Sequence, residues 1–180
     1  VFKKVKEKFK NKRKTKILND INILKLKKKV DITITAIPGI EGLEQTLYAV
    51  KISKKILIAN KESIITGWNL IKKNQIKYKT KVIPIDSEHF SILKLLQKID
   101  LKDIFKIYIT ASGGPFLNYN FNKLKKVKSE EALKHPKWRM GKKISIDSAT
   151  LMNKVLEVIE AQKIFNLPLS KIDILIHPQS

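Results

Sequence analysis

Short β-branched runs alternate with helical patterns along most of the chain. Four runs rich in isoleucine, valine and threonine predict strands at 30–37, 55–59, 81–85 and 104–110. Apolar residues recur at helical spacing between these runs, which predicts helices at 43–50, 62–73 and 88–99. Strands that alternate with helices are typical of a mostly parallel sheet with crossover helices, so we predict an α/β fold.

The stretch 142–161 predicts a short strand followed by a helix, with Ser148 at the helix start. At about 100° per residue, Asn153, Lys154 and Glu157 fall within about 100° of arc on one helix face. A buried stripe is predicted on another face, formed by Leu151, Val155, Val158 and Ile159. The polar face combines hydroxyl, amide, ammonium and carboxylate groups, which suit a phosphorylated, metal-bound ligand.

The two ends of the chain give weaker patterns. Lysine-rich residues 1–16 predict either a charged surface helix or a frayed end. A last strand is predicted at 172–176, and the chain stops at Ser180. Because the chain also begins at Val1 without methionine, we expect it to be an internal piece of a longer protein.

Composition excludes several classes of site. The chain has 180 residues and is 43% hydrophobic, enough for a core in one domain or in parts of two. It has no cysteine, so disulfides and thiolate metal sites are impossible, and oxygen and imidazole remain as metal ligands. No apolar run is long enough to span a bilayer, so we expect a soluble, cytoplasmic protein without a membrane partner.

The net charge of +22 raises the question of nucleic-acid binding. Of the 38 basic residues, only Arg13 and Arg139 are arginine, although arginine is favoured for base and phosphate recognition. Lysine, isoleucine and asparagine are enriched along the whole chain instead of forming one basic patch. We interpret the charge as compositional drift in an AT-rich genome and expect no nucleic-acid partner.

Several short polar segments follow predicted strands, and each has two interpretations. Asp86-Ser-Glu-His89 either binds a divalent cation or only caps the next helix, and capping is favoured from these four residues alone. The turn at 110–116, with two glycines and Ser112, is either a phosphate cradle or a plain loop. Residues 60–63 likewise either cap a helix or contact a ligand.

The segment around His135 and Trp138 lies in a long irregular stretch. Trp138 with Met140 either forms a hydrophobic lid or fastens the loop to the core. Lys154 and Glu157 form either a site or an ordinary salt bridge three residues apart. Asn153 is harder to explain structurally, because asparagine is a poor helix former within an otherwise helical run.

Taken in order, these segments resemble the 1-deoxy-D-xylulose 5-phosphate reductoisomerase family. The resemblance extends from about Val30 to the last residue. Its motifs are Ala-Asn-Lys-Glu-Ser at 59–63, Pro-Ile-Asp-Ser-Glu-His at 84–89, Ala-Ser-Gly-Gly-Pro-Phe at 111–116, His-Pro-Lys-Trp at 135–138, the run from Met140 to Thr150, Met-Asn-Lys at 152–154 and Ile-His-Pro-Gln-Ser at 176–180.

The resemblance implies an NADPH-dependent enzyme of non-mevalonate isoprenoid biosynthesis. Such an enzyme converts 1-deoxy-D-xylulose 5-phosphate to 2-C-methyl-D-erythritol 4-phosphate by rearranging the carbon skeleton and then reducing it. The implied organisation is the C-terminal part of a Rossmann-like NADPH-binding domain at 1–85, followed by a truncated α/β catalytic domain at 86–180. At full length we expect a homodimer in which the strand at 172–176 contributes to a shared sheet.

The resemblance also implies a role for each matching residue. The metal, Mn²⁺ or Mg²⁺, would bind to Asp86, Glu88 and Glu157. Substrate contacts are implied for Lys61, Ser87, Glu88, Ser112, His135, Trp138, Ser148, Asn153, Lys154 and Glu157. Among these, the phosphate would bind to Ser112, Ser148, Asn153 and Lys154, and the catalytic residues would be Lys61, Glu88, His135 and Glu157. NADPH contacts are implied for Asn60, Glu62 and Gly141.

The chain departs from the family pattern in several places. It has neither the glycine-rich nucleotide turn nor the C-terminal helical domain, and Phe90 follows His89 where a smaller or polar residue is usual. Val155 stands where the family usually has glycine, and it would either crowd the metal ligand or only favour the helix. The alternative function is therefore a truncated or decayed remnant that acts at most as a basic anion-binding protein. A bacterial source implies a cytoplasmic enzyme, and a plastid-bearing source implies a plastid one.

Overall fold

The computed structural model describes residues 2–11, 15–20, 26, 28–134 and 141–177. Within these ranges the helices are α1 (Phe2–Lys8), α2 (Gly42–Ile52), α3 (Lys61–Tyr78), α4 (Ser87–Leu95), α5 (Phe121–Leu124), α6 (Ser129–Ala132), α7 (Lys142–Ala149) and α8 (Met152–Phe165). The strands are β1 (Val30–Thr35), β2 (Ser53–Ile58), β3 (Lys81–Pro84), β4 (Ile107–Ala111) and β5 (Ile172–Ile176). The predicted α/β fold is confirmed.

The first sheet has the order β1-β2-β3, and both strand pairs are parallel. Ile34 pairs with Leu57, which in turn pairs with Ile83. Helices α2 and α3 pack over this sheet through a core of fully buried residues, namely Ala49, Val50, Ile56, Ile58, Ile64 and Ile71. Buried parallel strands need apolar residues on both faces, which explains why β2 was recognisable as a β-branched run.

The second sheet pairs β4 with β5, again in parallel, with Ile109 opposite Ile174. Its core consists of Ile92, Ile104, Ile109, Ala161, Leu167 and Ile172. Helix α8 contacts β4 and β5 on one side and α3 and α4 on the other. It therefore connects the two sheets, and all the elements that bear site residues meet along it.

The strand predicted at the start of 142–161 is wrong. Residues Lys142–Ala149 form helix α7, and Leu151 at φ 59° ends it before α8 begins at Met152. Ser148 consequently lies near the end of a helix and not at its start. The alternation of isoleucine with polar residues resembled a strand, but Ser145 and Ala149 are the buried positions, and their spacing of four residues is helical.

The predicted buried stripe of α8 is only partly confirmed, because Val158 and Ile159 are half-buried and Leu151 lies just before the helix. Val155 is 45% exposed, whereas the buried residues of α8 are Glu157, Glu160 and Ala161. The helix thus buries its acidic face. That orientation is possible because lysine and histidine side chains of neighbouring elements meet these carboxylates, so the charges are not left unpaired.

The remaining elements carry no predicted site residue. Helix α1 has no buried residue, in agreement with the alternative of a charged surface helix. In the part of the chain that the structure describes, no helix combines the length and apolar character needed to cross a bilayer.

Candidate metal and substrate site

The candidate site lies at the carboxyl ends of three parallel strands. Asn60 follows β2, Asp86 follows β3 and Ser112 follows β4. Open α/β sheets place their ligands at this edge, because the loops and helix starts after the strands meet there. Helix α8 crosses the same edge and adds Asn153, Lys154 and Glu157, so residues far apart in sequence come together.

Three carboxylates form the centre of the site. Asp86, Glu88 and Glu157 each place an oxygen within 4.8 Å of the others. Asp86 also accepts a hydrogen bond from the Glu88 backbone N–H at 3.3 Å and so caps α4. Capping and clustering are therefore compatible, and the two interpretations of this segment do not exclude each other. Grouped carboxylate oxygens are the donors that Mg²⁺ and Mn²⁺ prefer.

Two lysines neutralise part of this negative charge. Lys61 Nζ lies 3.5 Å from Asp86 Oδ2 and 3.9 Å from Glu157 Oε1. Lys154 Nζ lies 2.9 Å from Glu88 Oε1 and 2.7 Å from Glu157 Oε2. His89 also contacts Asp86 and adds a third positive charge when its ring is protonated. The three grouped carboxylates are a donor set that fits a divalent cation.

Burial and neighbouring charges move the pKa values of these groups. Burial by itself would raise the pKa of Asp86, but hydrogen bonds with His89 and Glu88 and the nearby charge of Lys61 hold it well below its usual range. Burial raises the pKa of Glu157, and the Glu88 charge adds to this effect while Lys154 opposes it. The pKa of Lys154 would fall on burial, yet its contacts with Glu157 and Glu88 raise it. The buried Glu157 carboxylate therefore depends on positive neighbours to stay ionised.

The predicted phosphate-binding residues lie together on one side of the carboxylates. Ser112, Ser148, Asn153 and Lys154 line a cavity of about 20 Å³, a volume suited to about one water, so a phosphate group would have to widen it. Gly114 has φ 70°, and a Cβ there would lie 2.9 Å from the Ser148 carbonyl oxygen. The glycine turn therefore approaches α7 more closely than a residue with a side chain allows.

The predicted NADPH contacts lie together on the other side. Asn60, Glu62 and Gly141 line a cavity of about 340 Å³ that Asn153 also lines. The Asn60 amide donates to the carbonyl oxygens of Ile37 at 2.5 Å and Gly39 at 3.0 Å. Its side-chain oxygen accepts from the Ser63 backbone N–H at 2.6 Å. Asn60 thus fixes the loop that forms the cavity wall.

The other residues predicted for the site differ in where the structure places them. Ser87 donates to Glu88 Oε2 at 2.8 Å, so it lies beside the carboxylate cluster. Lys61 donates to Asn153 Oδ1 at 2.7 Å and connects α3 with α8. His135 and Trp138 lie outside the described residues. Val155 lines neither of the two cavities, and its exposure shows that its side chain does not crowd the carboxylates.

Two buried residues beside the carboxylates have no role assigned from the sequence. His89 is fully buried, and its ring lies 3.2 Å from Asp86 Oδ1 and 2.9 Å from the Glu157 carbonyl oxygen. Glu160 Oε2 lies 4.0 Å from His89 Nδ1. A signal existed in the spacing, since His89 follows Asp86 and Glu160 follows Glu157 by three residues each.

The chain is similar to proteins of one family over nearly its whole length. A family model for 1-deoxy-D-xylulose 5-phosphate reductoisomerase matches residues 1–67, and one for the C-terminal domain of the same enzyme matches residues 82–165. The reductoisomerase of Pelagibacter ubique is 54% identical over 171 residues, covering 93% of this chain and 44% of that protein. The one from Clostridium novyi is 50% identical over 151 residues, covering 84% and 39%.

Solved structures agree with these relatives. A crystal structure of DOX-P reductoisomerase in complex with NADPH, fosmidomycin and magnesium superposes with a TM-score of 0.81 at 38% identity, covering 99% of this chain and 47% of the other. The Zymomonas mobilis enzyme in complex with NADPH gives a TM-score of 0.74 at 43% identity, covering 83% and 38%. The chain therefore spans less than half the length of the relatives that it matches.

Proposed function

Because the chain belongs to the 1-deoxy-D-xylulose 5-phosphate reductoisomerase family, we propose that it is the metal- and substrate-binding part of an enzyme that converts 1-deoxy-D-xylulose 5-phosphate to 2-C-methyl-D-erythritol 4-phosphate with NADPH. The main support for this proposal is the position of Asn153. Asn153 lines both the cavity at Asn60 and the cavity at Ser112, and it donates a hydrogen bond to Glu157. The proposed cofactor, metal and phosphate sites therefore share one wall.

We propose Asp86, Glu88 and Glu157 as the ligands of Mn²⁺ or Mg²⁺. When bound, the ion would supply Lewis acidity that stabilises negative charge on the substrate oxygens during rearrangement. The chain's own contribution is to hold the three carboxylates close together and to keep Lys61 and Lys154 beside them. Both ammonium groups are mostly buried, so their charge acts on nearby oxygens with little screening.

The phosphate of the substrate is proposed to bind between the glycine turn and α8. Ser112 and Ser148 offer hydroxyl donors, Asn153 an amide and Lys154 a charge. Lys154 also contacts Glu88 and Glu157, so it is within reach of both ends of a short ligand. We propose Lys61, Glu88, Glu157 and His135 as catalytic residues, and Ser87 and Trp138 as further substrate contacts.

The nicotinamide end of NADPH is proposed to occupy the cavity of about 340 Å³. Among the described residues other than its chain neighbour, no heavy atom lies within 4 Å of the Cβ position of Gly141, which would let a ligand approach the backbone there. Glu62 and Asn60 would form the opposite wall. A hydride donor in this cavity would lie next to Asn153, at the edge of the carboxylate cluster, as reduction of the rearranged substrate requires.

Domain division, assembly and location belong to the same proposal. We propose a Rossmann-like NADPH-binding part at 1–85 and a catalytic part at 86–180, in a cytoplasmic bacterial enzyme. We also propose that the full-length protein is a homodimer. Exposed apolar side chains on β5, namely Ile174, Leu175 and Ile176, support this assembly because such a surface gains stability when another chain covers it.

The activity is tested on the full-length protein with NADPH, Mn²⁺ and 1-deoxy-D-xylulose 5-phosphate. We expect NADPH absorbance to fall only when both metal and substrate are present. Glu157→Gln removes one anionic ligand and should lower kcat/KM by at least about 100-fold while weakening Mn²⁺ binding. Gln162→Ala, on the same helix, serves as the matched control and should keep wild-type activity.

Two results would count against the proposal. If the folded, metal-bound protein consumes no NADPH with this substrate, the reductoisomerase assignment fails. Unchanged Mn²⁺ affinity in Glu157→Gln would remove Glu157 from the ligand set. A protein without metal affinity that binds polyanions with a steep salt dependence would instead favour the basic anion-binding remnant.

A further inference from the structure

His89 joins the two segments that carry the proposed metal ligands. Its side chain is fully buried between α4 and α8. Nδ1 lies 3.2 Å from Asp86 Oδ1, and Nε2 lies 2.9 Å from the backbone oxygen of Glu157. One imidazole therefore contacts the side chain of one proposed ligand and the main chain of another that is 71 residues away in the sequence.

Both atoms that face the ring are hydrogen-bond acceptors. A carbonyl oxygen only accepts, so Nε2 must donate to Glu157. The Asp86 carboxylate accepts as well, so Nδ1 donates to it in the protonated ring, which carries a hydrogen on both nitrogens. A planar ring held at both nitrogens has little freedom to rotate, and it fixes the positions of both acceptors relative to each other.

We propose that His89 is a positioning residue of the metal site, which aims the Asp86 carboxylate and sets the distance between Asp86 and Glu157. The inference rests on the proposed function, because it takes Asp86, Glu88 and Glu157 as the ligands. The Asp86 carboxylate has several possible orientations at the start of α4. The His89 ring and the Glu88 backbone N–H both hold Oδ1, which leaves Oδ2 3.5 Å from Lys61 Nζ. Groups that orient metal ligands strongly affect metal affinity.

A competing arrangement would use His89 as a ligand itself. Asp86, His89 and Glu160 also place one ligand atom each within 4.8 Å of one another. Both His89 and Glu160 are fully buried, however, and a metal on Nδ1 would replace the hydrogen bond to Asp86. Asp86 and Glu88 are only partly buried and offer the oxygen donors that hard cations prefer, so a hydrated ion reaches them more easily.

The test separates the two hydrogen bonds of the ring in the full-length protein. His89→Asn places an amide near the position of Nδ1, and His89→Gln places one near Nε2, whereas His89→Phe keeps the ring shape without a donor.

We expect His89→Phe to raise the Mn²⁺ dissociation constant by about 10- to 100-fold, measured from the electron paramagnetic resonance signal of free Mn²⁺. Each amide variant should restore part of the affinity. Ser91→Ala on the same helix, where Ser91 donates only to the Ser87 carbonyl oxygen, should leave it unchanged.

A second readout distinguishes positioning from a general structural role. In folded His89→Asn and His89→Gln, saturating Mn²⁺ should return kcat towards the wild-type value, while the Mn²⁺ concentration required for half-maximal activity stays raised. Thermal melting identifies any variant that fails to fold. If His89→Phe does not fold, Mn²⁺ affinity is compared between the wild type and the two amide variants.

Two outcomes would overturn the inference. The first is wild-type Mn²⁺ affinity in all folded His89 variants. The second is nitrogen hyperfine coupling in the bound Mn²⁺ spectrum of a size that requires direct ligation, which would make His89 a ligand. If the wild type binds Mn²⁺ and the variants bind it weakly, but no NADPH is consumed with the proposed substrate, the proposed function fails and the positioning role of His89 stands.

Discussion

Glu160 is a buried carboxyl group whose two oxygens have no hydrogen-bond partner among the described residues. Burial raises its pKa from the ordinary value of 4.5 to about 7, although the nearby charges of His89 and Lys61 oppose this shift. The folded state therefore binds this proton more tightly than the unfolded state. Glu160 contributes its full stability below pH 4.5, and that contribution is lost as the pH rises to about 7.

Glu160→Gln should remove this pH dependence. Glutamine stays neutral, so its free energy of unfolding relative to the wild type should increase by up to about 3 kcal/mol between acidic and alkaline conditions. Urea unfolding of both proteins in the presence of a chelator, at several pH values from 4.5 to 8, measures the difference. A difference that stays constant over this range would show that Glu160 does not titrate as stated.

Single residues also show where sequence patterns mislead. Val155 fitted the spacing of a buried stripe, yet Glu157 and Glu160 occupy the buried face of α8. Hydrophobic periodicity predicts that carboxylates lie on the surface, because the pattern within one helix gives no information about lysine or histidine partners on other elements. Lys154, three residues before Glu157 on α8, is a partner that the spacing predicts, whereas Lys61 lies on α3 and is invisible to a pattern confined to one helix.

The glycine turn packs closely against α7 beside the proposed phosphate site. Gly114→Ala would place a Cβ 2.9 Å from the Ser148 carbonyl oxygen, at a φ of 70° that side chains rarely adopt. We expect a loss of about 1–3 kcal/mol in the free energy of unfolding and a displaced Ser112. Gly141→Ala is the matched control, because its φ is −62° and no described atom beyond its chain neighbour lies within 4 Å of its Cβ position. Since Gly141 is the N-cap of α7, some stability should be lost, but less than in Gly114→Ala.

Urea unfolding compares the two glycine variants. Equal stability of Gly114→Ala and Gly141→Ala would mean that the turn does not depend on its approach to α7. Phosphate-analogue affinity of the full-length protein gives a second measurement. We expect it to fall in Gly114→Ala, since the loop that carries Ser112 must move away from Ser148.

Among the elements, strands were predictable and helix α7 was not. The strands β1, β2, β3, β4 and β5 were found within a few residues of their bounds, since each is rich in isoleucine, leucine, valine or threonine, which favour strands. The segment Lys142–Ala149 alternates apolar and polar residues over a length compatible with either strand or helix. Whether such a segment forms a strand or a helix is decided by its tertiary contacts. The Ser148 carbonyl oxygen lies against the glycine turn, and the sequence around α7 contains no trace of that contact.

The carboxylate cluster was predictable as a set of residues more than as a geometry, and its role as a metal site stays a prediction. The family motifs indicated Asp86, Glu88 and Glu157 together, and the structure brings their oxygens within 4.8 Å of one another. The residues themselves indicated only caps and an ordinary salt bridge, because those roles need the same residue types at the same spacing. The sharing of Asn153 between two cavities depends on how α8 crosses the sheet edges, which no local pattern contains.

At the scale of the whole molecule, the net charge of +22 is carried by lysines spread over the surface, and no single basic groove follows from their positions in the sequence. We therefore expect the full-length protein to bind duplex DNA only weakly, with no sequence preference and with a dissociation constant of about 10⁻⁴ to 10⁻⁶ M at physiological salt.

Substitutions in helix α1 test this expectation, because the helix has no buried residue and bears no residue of the proposed site. Replacing Lys3, Lys4, Lys6 and Lys8 by glutamine should reduce the slope of log affinity against log salt concentration by at most about 4 and leave NADPH consumption unchanged. Fluorescence anisotropy of two labelled duplexes of different sequence measures the slope. Nanomolar affinity for one duplex over the other would instead make nucleic-acid recognition a function of this protein.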